Sequence, residues 1–175
     1  MILLARSAVR LFSVALSLAP LAIVGCDPVH ASEIDALGGE APGVPEGPLH
    51  RPGQPCLLCH DGEIGDPTAF SVGGTVFDTP SSMQGVVGAT VAMTDTIGSS
   101  DTATTNAAGN FYVTPPEWTP IYPIVEVQVQ SGNVTVSMET LIGRNGSCAG
   151  CHTGTAGPVS PGPITLTLDN GGTPP

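Results

Sequence analysis

Two pentapeptides constrain this 175-residue chain more than any other feature: Cys56-Leu57-Leu58-Cys59-His60 and Cys148-Ala149-Gly150-Cys151-His152. Each reads Cys-x-x-Cys-His, and each continues as His-x-Gly-x-x-Gly, through Gly62 and Gly65 and through Gly154 and Gly157. Two thiols three positions apart can each reach one vinyl group of a single porphyrin and close a thioether. The next residue then falls under the ring, where an imidazole can bind iron. The pattern is the attachment signature of a c-type haem. It predicts covalent haem on Cys56, Cys59, Cys148 and Cys151, with His60 and His152 as the proximal iron ligands. Two other chemistries use Cys-x-x-Cys. A thioredoxin-like redox pair does not call for a following His and sits beside a βαβ pattern, which this sequence lacks. A zinc site could take both pairs as four thiolates.

The N-terminus supports export. Arg6 and Arg10 precede an apolar stretch over residues 11–24 that is too short to span a bilayer comfortably and contains Pro20. Residues 1–25 therefore read as a signal peptide. Its end, Ile23-Val24-Gly25-Cys26, resembles the lipobox of bacterial lipoproteins. That resemblance implies cleavage before Cys26 and a lipid on its thiol, so the chain would be membrane-anchored and face the periplasm or the cell surface. The cysteine count then closes, with one for lipid, four for two haem c groups and none for a disulfide. Haem attachment and lipidation both belong to the exported side.

Beyond residue 25 the chain carries fifteen acidic residues, two arginines (Arg51 and Arg144) and no lysine, a formal charge of −13. Such a chain repels nucleic acid, and it steers basic redox partners toward itself. Residues 26–55 form a tether, rich in Gly and Pro from residue 36 onward and expected to be extended. Residues 56–69 hold the first haem motif, and residues 141–175 hold the second together with a C-terminal strand.

Between them, residues 70–140 read as β. Candidate strands are 72–77, 88–94, 102–105, 111–113, 124–130 and 134–138, with a last edge strand at 164–168. In Ile124-Val125-Glu126-Val127-Gln128-Val129-Gln130 the alternation predicts the odd-numbered valines inward. No segment shows a sustained helical period. The expected fold is mainly β, a small antiparallel sandwich flanked by two haem-binding segments.

Three stretches, Ser71-Val72-Gly73-Gly74-Thr75-Val76-Phe77, Gly88-Ala89-Thr90-Val91 and Thr105-Asn106-Ala107-Ala108-Gly109-Asn110-Phe111-Tyr112, resemble the carboxypeptidase regulatory-like domain. The resemblance covers roughly residues 70–138 and implies a transthyretin-like β-sandwich without catalytic residues. With haem motifs on both sides, the arrangement looks like an exported bacterial dihaem cytochrome lipoprotein carrying this domain, although such partner surfaces usually include lysine.

The expected function is electron transfer in the bacterial cell envelope, without enzymatic activity. Two alternatives stand beside it, a haem enzyme or ligand sensor with an open iron and a structural sandwich with zinc on its Cys pairs. Second axial ligands are sought among His50, six residues before Cys56, and Met138, ten before Cys148. His30 is the next candidate. Met93 shares a face with Val91 and reads as core, and Met83 sits in a loop.

Overall fold

The computed structural model describes residues 28–40, 42–62, 68–169 and 171–172. The signal peptide, the lipobox and Cys26 lie outside these residues. Among the described residues, no helix is long and apolar enough to cross a membrane.

The described residues are mainly β, with two sheets over one apolar core and one short helix. Helix α1 (Pro28–Ala36) comes first. Strands follow as β1 (Val72–Phe77), β2 (Thr90–Asp95), β3 (Ser100–Thr104), β4 (Asn110–Val113), β5 (Ile124–Ser131), β6 (Val134–Ser137), β7 (Gly146–Ser147) and β8 (Ile164–Thr165). One sheet runs β3-β2-β5-β6, antiparallel throughout. In the other, β4 pairs antiparallel to β1, while β7 and β8 pair parallel to the two ends of β1. These two short parallel partners depart from the all-antiparallel expectation. The expected strand over 164–168 reduces to two residues, and β7 has no sequence signal at all.

The core forms where the period-2 alternation predicts it. Val72 and Val76 of β1, Val91 and Met93 of β2, and Phe111 and Val113 of β4 are buried together with Ile124, Val129 and Trp118. Met93 is a core residue, as its shared face with Val91 requires. The alternation fails once. Thr94 pairs with Glu126, but Asp95 pairs with Ile124, so β5 carries one extra residue there. Val125 is that residue. The bulge turns it outward to 42 % exposure while Ile124 is fully buried.

The segment before the first motif is not an extended spacer. It is helical over Pro28–Ala36, and farther along it is fastened to the sheet. Gly53 N–H donates to the Thr75 hydroxyl at 2.8 Å, and Asn110 Nδ2 donates to the His50 carbonyl at 2.9 Å. The amide of Asn106 donates to the Pro48 carbonyl. These bonds lay the segment across β1 and β4, so β1 is buried on both faces along its whole length. The turn into β4 is tight against β1. Gly109 has φ +79°, and a Cβ there would stand 2.3 Å from the Val76 carbonyl oxygen.

Candidate functional site

The two Cys-x-x-Cys-His units fold into the same structure. Each opens with one 3₁₀ turn, Cys56–Leu58 and Cys148–Gly150. The residue before each turn is extended, with φ, ψ of −71°, 93° at Pro55 and −77°, 97° at Ser147. Each turn closes when the His amide donates to the carbonyl of the first Cys, His60 to Cys56 at 3.0 Å and His152 to Cys148 at 2.9 Å. The glycine two residues later is left-handed in both copies, φ +84° at Gly62 and +56° at Gly154, which gives the repeated His-x-Gly its backbone reason. Gly65 lies outside the described residues.

The histidine rings are also set alike. His60 Nδ1 bonds the Thr68 carbonyl at 2.9 Å, and His152 Nδ1 bonds the Gly162 carbonyl at 2.9 Å. A carbonyl only accepts, so the proton is on Nδ1 and the lone pair is on Nε2. Metal-binding histidines are oriented by this kind of bond. Neither carbonyl has a side-chain signature, and sequence reading missed both. Around His152 the support is a buried hydroxyl: Ser160 Oγ accepts from Thr153 N at 3.1 Å and Gly162 N at 3.0 Å, and donates to the Thr153 carbonyl at 2.6 Å.

Strand β1 brings the two motifs together. An added Cβ on Gly73 would lie 3.1 Å from Cys56 Cβ, and one on Gly74 would lie 2.8 Å from Cys148 Cβ. Successive strand residues face opposite sides, so the motifs sit against opposite faces of one strand. Those contacts and the 3.8 Å Cα step place the two cysteine Cβ atoms no more than about 13 Å apart. The glycine pair makes room for both, a role the resemblance alone did not reveal.

None of the four motif cysteines is disulfide-bonded. Burial pushes the Cys56 thiol up to about 11 and the Cys148 thiol up to about 12. A thiol held protonated in this way is the weaker nucleophile. Among the described residues, no group of three or more His, Cys, Asp or Glu side chains gathers as a metal-ion site. The four thiols therefore do not converge as the zinc alternative requires.

A cavity of about 540 Å³ opens beside the first turn, bordered by Cys56, Cys59, His60, His50, Arg51 and Phe70. Its size is that of a cofactor pocket. Both thiols and the imidazole of one motif border a single space, so the residues present fit a porphyrin tethered there. The second motif is more open, with Cys151 exposed and His152 half-buried.

The candidates for the second axial position are placed differently. His50 reaches the site. Its ring centroid is 5.8 Å from that of His60, with planes 18° apart. Its tautomer is reversed, however, because Gly47 N–H donates to His50 Nδ1 at 3.2 Å, which sends the ring proton to Nε2. Met138 follows β6, its amide donating to Val127 at 2.9 Å, and continues the side on which Val134 and Val136 pack against the core. His30 Nε2 donates to the Leu58 carbonyl, and Nδ1 lies 3.5 Å from Asp61. Those bonds fasten α1 to the first turn. Met83 is 44 % exposed in its loop.

No family model, no curated protein and no solved structure matches this chain.

Proposed function

We propose that this chain is a dihaem c-type cytochrome that carries electrons in the bacterial cell envelope. The observation that carries this reading is the duplicated local structure. Two Cys-x-x-Cys-His turns share the same closure, and each commits its histidine Nδ1–H to a backbone carbonyl. Haem supplies one-electron chemistry when bound. The chain's own residues then have separate tasks. Cys56, Cys59, Cys148 and Cys151 hold the two groups covalently. His60 and His152 offer Nε2 to iron, and their bonds to Thr68 and Gly162 keep the rings from turning. Gly73 and Gly74 let the two attachment points approach across one strand, which favours electron exchange between them.

His50, which borders the same cavity as His60, is the better candidate for a second iron ligand, and Met138 is the weaker one. His/His or His/Met ligation suits an electron carrier. For His50 Nε2 to bind iron, the Gly47–His50 bond must open, at a cost of about 0.5–1.5 kcal/mol. That bond is also the specific observation favouring a second reading, a ligand-binding haem protein with one open iron.

The lipobox-like residues ending at Cys26 make a lipid-anchored form the natural setting, with the sandwich of the carboxypeptidase regulatory-like type as its scaffold. A formal charge of −13 beyond residue 25 favours basic redox proteins as partners. The test is intact mass spectrometry of a Cys26→Ser protein made with the haem-attachment machinery. The expected mass is the polypeptide plus two haems, with a matching pyridine haemochrome spectrum. One haem or none overturns the dihaem reading.

A further inference from the structure

We propose that Arg51 anchors a carboxylate of the group bound at the first motif, a haem propionate, and that Glu40 is the residue this carboxylate displaces. The inference rests on the haem reading above. Arg51 borders the same cavity as Cys56, Cys59 and His60, and among the residues that border it Arg51 is the permanent cation, opposed by Glu40 and Glu46. It is one of only two arginines beyond residue 25, in a stretch without lysine. A dianionic group entering so acidic a chain needs a positive partner, and this one is in place.

The backbone and the hydrogen bonds point the same way. Arg51 has φ +49°, a left-handed conformation that non-glycine residues avoid unless the surroundings impose it. Its guanidinium is fixed by Nη2 donating to the Gly38 carbonyl at 2.6 Å and Nη1 donating to Gln54 Oε1 at 2.9 Å. These two bonds belong to the loop. The third, from Nε to Glu40 Oε1 at 2.7 Å, is of another kind. Glu40 engages Arg51 through one oxygen, and its other oxygen, Oε2, is buried with no hydrogen-bond partner among the described residues. A carboxylate half desolvated and half unsatisfied is a poor occupant of an arginine fork. A carboxylate borne by a ligand in the cavity can take that place, and Glu40, on a segment at the cavity rim, returns to water. A guanidinium held near an iron favours the reduced state, because reduction adds a negative charge beside it.

The test is spectroelectrochemistry on the full haem-loaded protein, which resolves two redox waves. Arg51→Gln is expected to move one wave to lower potential and leave the other where it was. Arg51→Lys keeps the charge and is expected to hold that wave near the parent position. Glu40→Gln removes a carboxylate that the bound group has already displaced to water and is expected to leave that wave nearly unmoved. If both waves ignore Arg51→Gln, or if Arg51→Lys shifts a wave as far as Arg51→Gln does, Arg51 is a structural clasp of its loop and the proposal falls. Should Arg51→Gln fail to fold, Glu40→Gln decides, and a wave that rises, with the Glu40 carboxylate therefore still seated on Arg51, overturns the anchor. Intact mass of the parent separates the two levels. A parent without haem overturns the underlying reading and the anchor together, whereas a parent with two haems and waves indifferent to Arg51→Gln overturns the anchor alone.

Discussion

His60 and His152 each give Nδ1–H to a carbonyl, whereas His50 takes an N–H from Gly47. The three imidazoles thus do not share one proton position, and on the haem reading proposed above that proton would separate a fixed proximal ligand from a conditional distal one. If His50 ligates the first iron, His50→Ala is expected to convert one of two low-spin haems to high spin and open it to carbon monoxide, checked by ferric and ferrous–CO spectra. Unchanged spectra remove His50 from the iron and favour the open-site reading. Met138→Leu provides the contrast. The position continues the packed side of β6, so the swap is expected to cost less than about 1.5 kcal/mol and to leave the spectra alone. Loss of a sulfur-to-iron band on that change makes Met138 the ligand instead.

Strand β1 is the element on which both motifs depend. Its six residues are buried on both faces, one side against the core and the other under the segment that carries Cys56. Glycine is required at two consecutive positions because a cysteine presses on each side. The two positions differ in tolerance. A Cβ on Gly74 would meet Cys148 Cβ at 2.8 Å and Phe111 Cζ at 3.0 Å, both inside the packed layer, while one on Gly73 would meet Cys56 Cβ at 3.1 Å on the outer side. Gly74→Ala is therefore expected to destabilise the fold by about 1–3 kcal/mol, the usual cost of overpacking. It is also expected to reduce haem attachment at the second motif more than at the first. Thermal melts and peptide mass mapping of the two motifs check this, and equal attachment at both sites would contradict the placement of Cys148 against β1. The same element explains why the tether is not a free spacer. Thr75 binds Gly53, and Asn110 on neighbouring β4 binds His50, so sheet and tether fold as one unit.

On the scale of the whole molecule, acidic side chains stabilise turns through hydrogen bonds to their charged form. Asp95 is buried, which by itself raises its pKa, but backbone N–H groups of Ile121, Ser99 and Ile97 hold its carboxylate below the usual range. The Ser82 hydroxyl and the Thr79 N–H do the same for Asp78, the Thr114 N–H and hydroxyl for Glu117, and the Ser81 hydroxyl for Asp169. A folded-state pKa below the unfolded value gives stability that is present above the unfolded pKa and lost as pH falls through the folded one. The melting temperature is thus expected to hold near neutral pH and to drop on acidification below about pH 4, the ordinary carboxylate range. Asp95→Asn is expected to lower the neutral-pH melt, with its deficit against the parent shrinking in acid. A deficit that stays constant with pH would show that the carboxylate charge is not the source.

Local structure was legible in part: the two motif turns and the main strands were, whereas helix α1 carried no helical period to announce it. Two Cys-x-x-Cys-His spacings impose two like turns, because each closes within five residues. Period-2 alternation placed the main strands, because alternate side chains of a strand share a face. The excess of acids over arginines is a count. Tertiary structure decided what joins residues far apart. Which carbonyl takes His60 or His152, the lodging of both motifs against Gly73 and Gly74, the bulge that expels Val125, and the Arg51–Glu40 clasp over the cavity all depend on chain segments brought together from a distance. Backbone carbonyls carry no side-chain signature, and a glycine shows its purpose only when the atoms that crowd it are known.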